Sequence, residues 1–177
     1  MCILPKHSTI CKIPSVYLNG VKLDVVSKKR YLGFVLTDRF KDDDDIERQL
    51  RYFYISANML MRNFCKCTFH VKCVLFKAYC YQLYGGPLWS NYSVGVMRKL
   101  KVAYNNAARL LLGYDKRSSA SSMFVTNRLS NFDALMRKQI YGLRQRLLKS
   151  SNTIVRICDL LYFKSDVVKV WNKLLFV

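Results

Sequence analysis

Basic side chains at helical spacing are the residues of this sequence that most clearly suggest a chemistry. Six of them fall on the polar faces of two predicted helices, opposite the apolar faces: Arg48, Arg51, Arg62, Arg98, Lys101 and Arg109. Cations on one helix face can track the phosphates of a nucleic acid, and each neutralised phosphate releases counterions. The alternative is a solvated face, but such a face normally carries charges of both signs. Glu47 and Asp115 are the only acids between Ile46 and Arg117, so we predict that these faces contact phosphate.

A run of four aspartates at residues 42–45 suggests a second chemistry, because phosphoryl transfer uses carboxylates to hold Mg²⁺. Successive residues at a helix start point in different directions, however, and no second carboxylate cluster follows along the chain. Carboxylates at a helix N-terminus complement the helix dipole and cap free N–H groups. No Ser/His/Asp arrangement or phosphate-binding glycine loop occurs in the sequence. We therefore predict that the run caps a helix, and that this chain has no catalytic residue, metal site or cofactor of its own.

Cys65, Cys67, His70 and Cys73 lie close together and are residue types that bind zinc. The usual layout of two ligand pairs separated by a spacer is missing, and small buried thiols at a junction between helices explain the same residues. The sequence leaves open whether these residues bind zinc. The seven cysteines are odd in number and no signal-peptide layout is present, so we expect reduced thiols in a nuclear or cytoplasmic protein.

Aromatic residues are concentrated between residues 52 and 84. Some of them could stack on nucleic-acid bases, but their spacing follows the helix period, which favours a place in the core for most. They are Tyr52, Phe53, Tyr54, Phe69, Phe76, Tyr79, Tyr81 and Tyr84.

The formal charge of +19 and the pI near 9.8 indicate an anionic partner. Such surfaces usually bind nucleic acid or an anionic membrane. We expect RNA, DNA or an RNA–DNA duplex and no membrane, since no run of about 18 apolar residues occurs. The net charge is +10 in residues 46–117 and +7 in residues 118–177, but only +2 in residues 1–45. The basic excess therefore belongs to the part of the chain that is predicted to be helical.

The elements that must position these residues begin with β-structure in residues 1–40. Asn19-Gly20 accepts positive φ at both central turn positions, which predicts a hairpin between strands at 15–18 and 21–26. A third short strand is predicted at 31–36.

After Asp45 the hydrophobic period changes from two to about 3.6, which predicts helices. Apolar faces such as Ile46, Phe53, Ala57 and Leu60 identify the side of each helix that is expected to be buried. The fold is therefore predicted to be mostly α within the α+β class: a short N-terminal β-hairpin plus a third strand, then a helical bundle. The helices are expected at about 43–64, 69–84, 93–112, 118–128, 131–149, 152–163 and 166–176.

Several segments, taken in order, are similar to one known protein family. The chain resembles the region that follows the palm in reverse transcriptases of non-LTR (LINE-type) retrotransposons. The similar segments are the hairpin at 16–23, the YLG strand at 30–36, the helix at 46–64, residues 72–80 with the YGGPLW segment at 84–89, the YNNAARLLLGY segment at 104–114, and residues 118–125, 134–138 and 146–152.

The resemblance implies an RNA-directed DNA polymerase in which palm aspartates hold two Mg²⁺ ions, often joined to an endonuclease domain. Neither the palm's aspartate strand nor its Tyr-x-Asp-Asp turn occurs in this sequence. The resemblance implies that residues 1–40 are an end-of-palm hairpin and primer-grip-like element, 41–117 thumb-like helices and 118–177 a post-thumb helical region. Tyr31, Leu32 and Gly33 match the primer-grip-like strand. The first thumb helix, with Arg48, Arg51 and Arg62, would lie along the template–primer duplex.

We therefore predict a nucleic-acid-binding thumb and post-thumb portion of such a polymerase, not catalytic alone. Its partners would be the template–primer and the palm, fingers and endonuclease domains of a parent polyprotein, with Mg²⁺ bound in that palm. The alternative is a non-catalytic helical adaptor that binds nucleic acid or a protein. A third possibility is a small zinc module.

Overall fold

The computed structural model describes residues 15–162 and 166–175. Within them, two small antiparallel hairpins precede a helical bundle, which confirms the predicted mostly helical α+β class. The strands are β1 (Tyr17–Leu18), β2 (Val21–Lys22), β3 (Lys28–Tyr31) and β4 (Phe34–Thr37). The helices are α1 (Asp43–Phe64), α2 (Phe69–Cys80), α3 (Val94–Leu112), α4 (Ala120–Thr126), α5 (Phe132–Leu148), α6 (Thr153–Tyr162) and α7 (Asp166–Leu175), with a 3₁₀ turn at Gly86–Leu88.

The first hairpin has the turn that its sequence predicts. Leu18 pairs with Val21 across the turn, and Asn19 and Gly20 both have positive φ, 50° and 79°. Large apolar side chains of this hairpin face solvent within the described chain, including those of Tyr17, Leu18 and Val21. The predicted hairpin is confirmed, but its strands are shorter than the predicted 15–18 and 21–26.

The predicted third strand at 31–36 is wrong, because the chain reverses in the middle of it. β3 and β4 pair antiparallel, with Tyr31 opposite Phe34, and the turn residues Leu32 and Gly33 have φ of 47° and 85°. Tyr84 Oη donates a hydrogen bond to the Leu32 carbonyl at 3.0 Å, and the Tyr84 ring lies 4.9 Å from that of Phe34. A leucine rarely adopts positive φ, so this turn depends on a contact from residue 84 that the local sequence does not reveal.

The centre of the core is Tyr104 on α3, which has no exposed surface. Its hydroxyl donates to the Ser130 carbonyl at 2.7 Å, and burial raises its pKa well above the usual tyrosine value. The predicted apolar face of α1 packs against α2 and α3 and is buried at Ile46, Phe53 and Leu60. Aromatic rings surround Tyr104 at centroid distances of 5.3 to 6.4 Å: Phe53, Phe76, Tyr81, Phe124 and Phe132.

The second predicted helix ends earlier than its period indicates, at Cys80 instead of residue 84. The carbonyl of Tyr81 accepts a hydrogen bond from Gln139 Nε2 at 2.7 Å, and the carbonyl of Gln82 accepts one from Gln49 Nε2 at 3.0 Å. These hydrogen bonds from α5 and α1 hold residues 81 and 82 outside the hydrogen-bond pattern of α2. The start of α5 matches its prediction, since Asn131 Oδ1 accepts from the Ala134 N–H at 2.8 Å.

Candidate nucleic-acid interface

A straight line of exposed side chains runs along the outside of α1. It consists of Arg51, Ile55, Asn58 and Arg62, and we call it the outer stripe. Arg51 and Arg62 are three helical turns apart, or roughly 16 Å along the axis at about 1.5 Å per residue. Both guanidinium groups can therefore contact one nucleic-acid strand at different phosphates.

Arg48 does not belong to this stripe, although the sequence places it on the polar face of the same helix. The residue is only 8% exposed, and its Nε donates to Asp45 Oδ1 at 2.7 Å. The reason is tertiary, because β4 packs against the start of α1. The predicted solvent-facing position of Arg48 is therefore wrong.

Asp45 accepts three hydrogen bonds at the start of α1. This buried carboxylate accepts hydrogen bonds from the Val35 N–H at 3.0 Å and from Trp89 Nε1 at 2.9 Å, in addition to the bond from Arg48. Because these donors come from β4, from α1 and from the segment before α3, one side chain joins three parts of the fold. Its oxygens are occupied by N–H donors.

Asp42 and Asp43 also bind backbone N–H groups, but not those of their own helix, whereas Asp44 pairs with Lys28. Asp42 Oδ2 accepts from the N–H groups of Ser90 and Asn91 at 2.8 and 2.7 Å, and Asp43 Oδ1 accepts from that of Ser93 at 2.7 Å. Desolvation raises the pKa of Asp42 above its usual value, and the two backbone hydrogen bonds oppose that shift. The run stands at the start of α1 as predicted, but Asp42 makes no side-chain cap. The predicted capping is corrected to a tie between α1 and the start of α3.

The three predicted cations of α3 have different surroundings. Arg98 is exposed. Lys101 Nζ lies 2.5 Å from Asp133 Oδ2, in an ion pair whose two side chains are about half exposed. Arg109 Nε donates to the Ser118 carbonyl at 3.0 Å, which holds the residues after α3 against the end of that helix. Arg98 is thus the most open of the three to a phosphate.

The three residues predicted to be primer-grip-like lie at the end of β3 and in the turn to β4. Tyr31 and Leu32 are exposed, whereas Gly33 is partly covered by the Tyr84 ring. An open cleft of about 320 Å³ lies between this hairpin, α1 and the end of α2. We call it the hairpin cleft; it is lined by Arg30, Gly33, Arg48, Gln49, Tyr52, Phe53, Ser56, Tyr79, Gln82 and Tyr84.

Sequence reasoning assigned no binding role to Arg30 and Gln82, because each comes from a different segment and shares no periodic pattern with α1. The aromatic clustering was the one signal of the cleft. It pointed to Tyr52, Tyr79 and Tyr84 together with residues that the structure buries in the core, such as Phe76. Only the fold separates the aromatic residues that line a surface from those that fill the interior.

The cysteine–histidine group is spread between surface and core. Cys65 and His70 are exposed, Cys67 is half-buried and Cys73 is buried. Burial raises the pKa of the Cys73 thiol, with Lys77 acting in the opposite direction. Across residues 15–162 and 166–175, no group of three or more His, Cys, Asp or Glu side chains is arranged to hold a metal ion.

The chain matches no protein-family profile, no curated protein and no solved structure. The resemblance to non-LTR reverse transcriptases therefore stays a prediction from the sequence. No helix in the described part of the chain is both long and apolar enough to cross a membrane.

Proposed function

We propose that this chain is the nucleic-acid-holding thumb and post-thumb part of an RNA-directed DNA polymerase of the non-LTR retrotransposon type. It binds RNA, DNA or an RNA–DNA duplex through exposed basic helix faces, and it does not polymerise by itself. The observation that carries the proposal is the outer stripe, where Arg51 and Arg62 stand exposed and in line on α1. Such a protein acts in the nucleus or the cytoplasm, with Mg²⁺ bound by a palm that this sequence does not contain.

The charge distribution supports phosphate binding over a solvated face. Residues 46–117 carry a net charge of +10, so the helices that include the outer stripe have a large basic excess that favours a polyanion. Binding of this kind is driven by counterion release and has little sequence preference. Its affinity therefore falls steeply as the salt concentration rises.

The first hairpin supports a protein partner beside the nucleic acid. The side chains of Tyr17, Leu18 and Val21 are between 62% and 67% exposed, and exposed apolar groups in a cluster mark protein contacts. In the proposed function this hairpin packs on the palm of the parent polyprotein. Exposed apolar side chains on this hairpin are equally expected for the alternative, a helical adaptor that binds a protein.

The test is fluorescence anisotropy with a labelled 16-base-pair RNA–DNA hybrid at several salt concentrations. The variant Arg51→Gln/Arg62→Gln is expected to weaken binding by about tenfold and to lower the slope of log affinity against log salt by roughly 2. The control Lys138→Gln/Lys173→Gln removes the same charge from exposed positions on α5 and α7. An equal loss in both variants would show that only net charge matters, and unchanged binding in the stripe variant would favour the protein-binding adaptor.

Catalysis is tested separately by primer extension. The chain alone is expected to give no Mg²⁺-dependent synthesis on a primed RNA template, because the palm aspartates of the polymerase family are missing from its sequence. Extension of the primer by the purified chain would contradict this part of the proposal.

A further inference from the structure

The hairpin cleft combines basic and aromatic side chains, whereas the outer stripe contains no aromatic residue. Its walls carry two arginines, Arg30 and Arg48, and three tyrosines, Tyr52, Tyr79 and Tyr84. No acidic side chain is among the described residues that line it. A cleft with cations, open aromatic rings and no carboxylate favours a ligand that is both anionic and planar.

Arg48 is the most informative of these residues, because part of its hydrogen-bonding capacity is unused. Asp45 accepts from its Nε, whereas its Nη2 is buried and has no partner among the described residues. A buried donor without an acceptor is unfavourable, more so when it carries charge. The oxygen of a bound anion would supply the missing acceptor.

The tyrosines supply the planar part of the site. The rings of Tyr52 and Tyr84 lie 5.7 and 6.0 Å from the Arg48 guanidinium carbon, measured to the ring centroids. Tyr52, Tyr79 and Tyr84 are 46%, 48% and 54% exposed, so each of these residues keeps surface that a ligand can reach. Nucleic-acid bases stack on exposed tyrosine rings whatever their sequence, because every base has a π face.

The size and position of the cleft limit the ligand. About 320 Å³ is at the lower end of small-ligand sites and far below the space that a duplex needs. Tyr52 in the cleft follows Arg51 of the outer stripe directly in α1. A strand held on the stripe therefore passes the mouth of the cleft.

We propose that the hairpin cleft binds one unpaired nucleotide of the nucleic acid that α1 holds. The phosphate lies at Arg30 and at Nη2 of Arg48, and the base stacks on one of the tyrosine rings. Arg30 Nη2 is 3.5 Å from Tyr52 Oη, a long contact that leaves the guanidinium able to turn to a phosphate. This inference rests on the proposed function for the strand, and it adds a site that prefers unpaired over paired nucleotides.

The experiment compares a blunt 16-base-pair RNA–DNA hybrid with the same hybrid carrying a four-nucleotide single-stranded DNA overhang. The wild-type chain is expected to bind the overhang probe about tenfold more tightly, the gain expected from stacking one base. Arg30→Gln and Tyr52→Leu are each expected to remove this advantage and to leave binding of the blunt hybrid unchanged. The matched control is Lys29→Gln, which removes one exposed charge from the neighbouring position of β3 and should keep the advantage.

Competition by small probes separates the two halves of the site. Thymidine monophosphate is expected to cancel the overhang advantage at concentrations where inorganic phosphate does not. Equal competition by inorganic phosphate would overturn the stacking part of the proposal.

Failure of the cleft and failure of the proposed function give different results. If the wild type binds both hybrids equally, or if the advantage survives in Arg30→Gln and Tyr52→Leu, the cleft proposal is overturned and hybrid binding stands. If single-stranded oligo(dT) binds in an Arg30-dependent way while the blunt hybrid does not bind at all, the cleft proposal stands and the duplex-holding function fails.

Discussion

Replacing Asp45 by asparagine is expected to be among the most damaging single-atom changes in this fold. The carboxylate is 2% exposed and accepts hydrogen bonds from Val35, Arg48 and Trp89. Asparagine has nearly the same shape, but its NH₂ group would face an N–H donor and its side chain has no charge. The guanidinium of Arg48, 8% exposed, would lose its counter-charge.

The magnitude follows from the burial of the pair. Removing one partner of a buried ion pair costs about 3–5 kcal/mol, because the remaining charge is uncompensated. Domains of this size are stable by about 5–15 kcal/mol, so Asp45→Asn should lose a large part of the total stability. Asp44→Asn is the control one residue away. Asp44 pairs with Lys28 at 3.6 Å, and both of these side chains are well exposed, at 42% and 64%, so its loss should cost about 0–1 kcal/mol.

The assay is urea unfolding followed by circular dichroism at 222 nm, with the free energy of unfolding extrapolated to water. The double variant Asp45→Asn/Arg48→Met removes the uncompensated charge as well, and it should recover part of the lost stability. If Asp45→Asn costs no more than Asp44→Asn, the idea that one buried carboxylate joins β4, α1 and Trp89 is refuted.

Two further predictions concern packing and thiol chemistry. Gly85→Ala should destabilise the fold by about 2 kcal/mol or more, since Gly85 has a φ of 93° and an added Cβ would lie 2.7 Å from the Phe34 ring. Gly95→Ala in α3, where a Cβ meets nothing within 4 Å, should instead stabilise by about 0.5–1 kcal/mol in the same urea assay. Burial raises the pKa of Cys80 to about 12, so at pH 8 a thiol reagent should label exposed Cys65 and leave Cys80 unmodified until urea unfolds the chain, as followed by peptide mass mapping. Fast labelling of Cys80 in the folded protein would contradict its burial.

Part of the site could be predicted because it depends on one helix alone. Arg51 and Arg62 face away from the apolar side of α1, and the 3.6-residue period is enough to place them on its outer surface. The same period places Arg48 near them, but β4 covers that part of the helix. Periodicity reports the face of a residue and not what packs against it.

The sequence alone determined the features whose causes are local. Asn19-Gly20 forms its turn because its own backbone tolerates positive φ, and Asn131 caps α5 because its side chain reaches an N–H group three residues ahead. The mostly helical class and the basic character of the helical region are local properties in the same sense.

Tertiary structure decided the features that depend on residues far apart in the chain. The turn at Leu32 is held by a hydrogen bond from Tyr84, and the carboxylate of Asp45 binds donors from β4, from its own helix and from the segment before α3. The hairpin cleft exists only where these segments meet. Buried charges and open aromatic rings acquire their roles from such neighbours, because desolvation and hydrogen bonding depend on what surrounds a group in space and not on its position in the sequence.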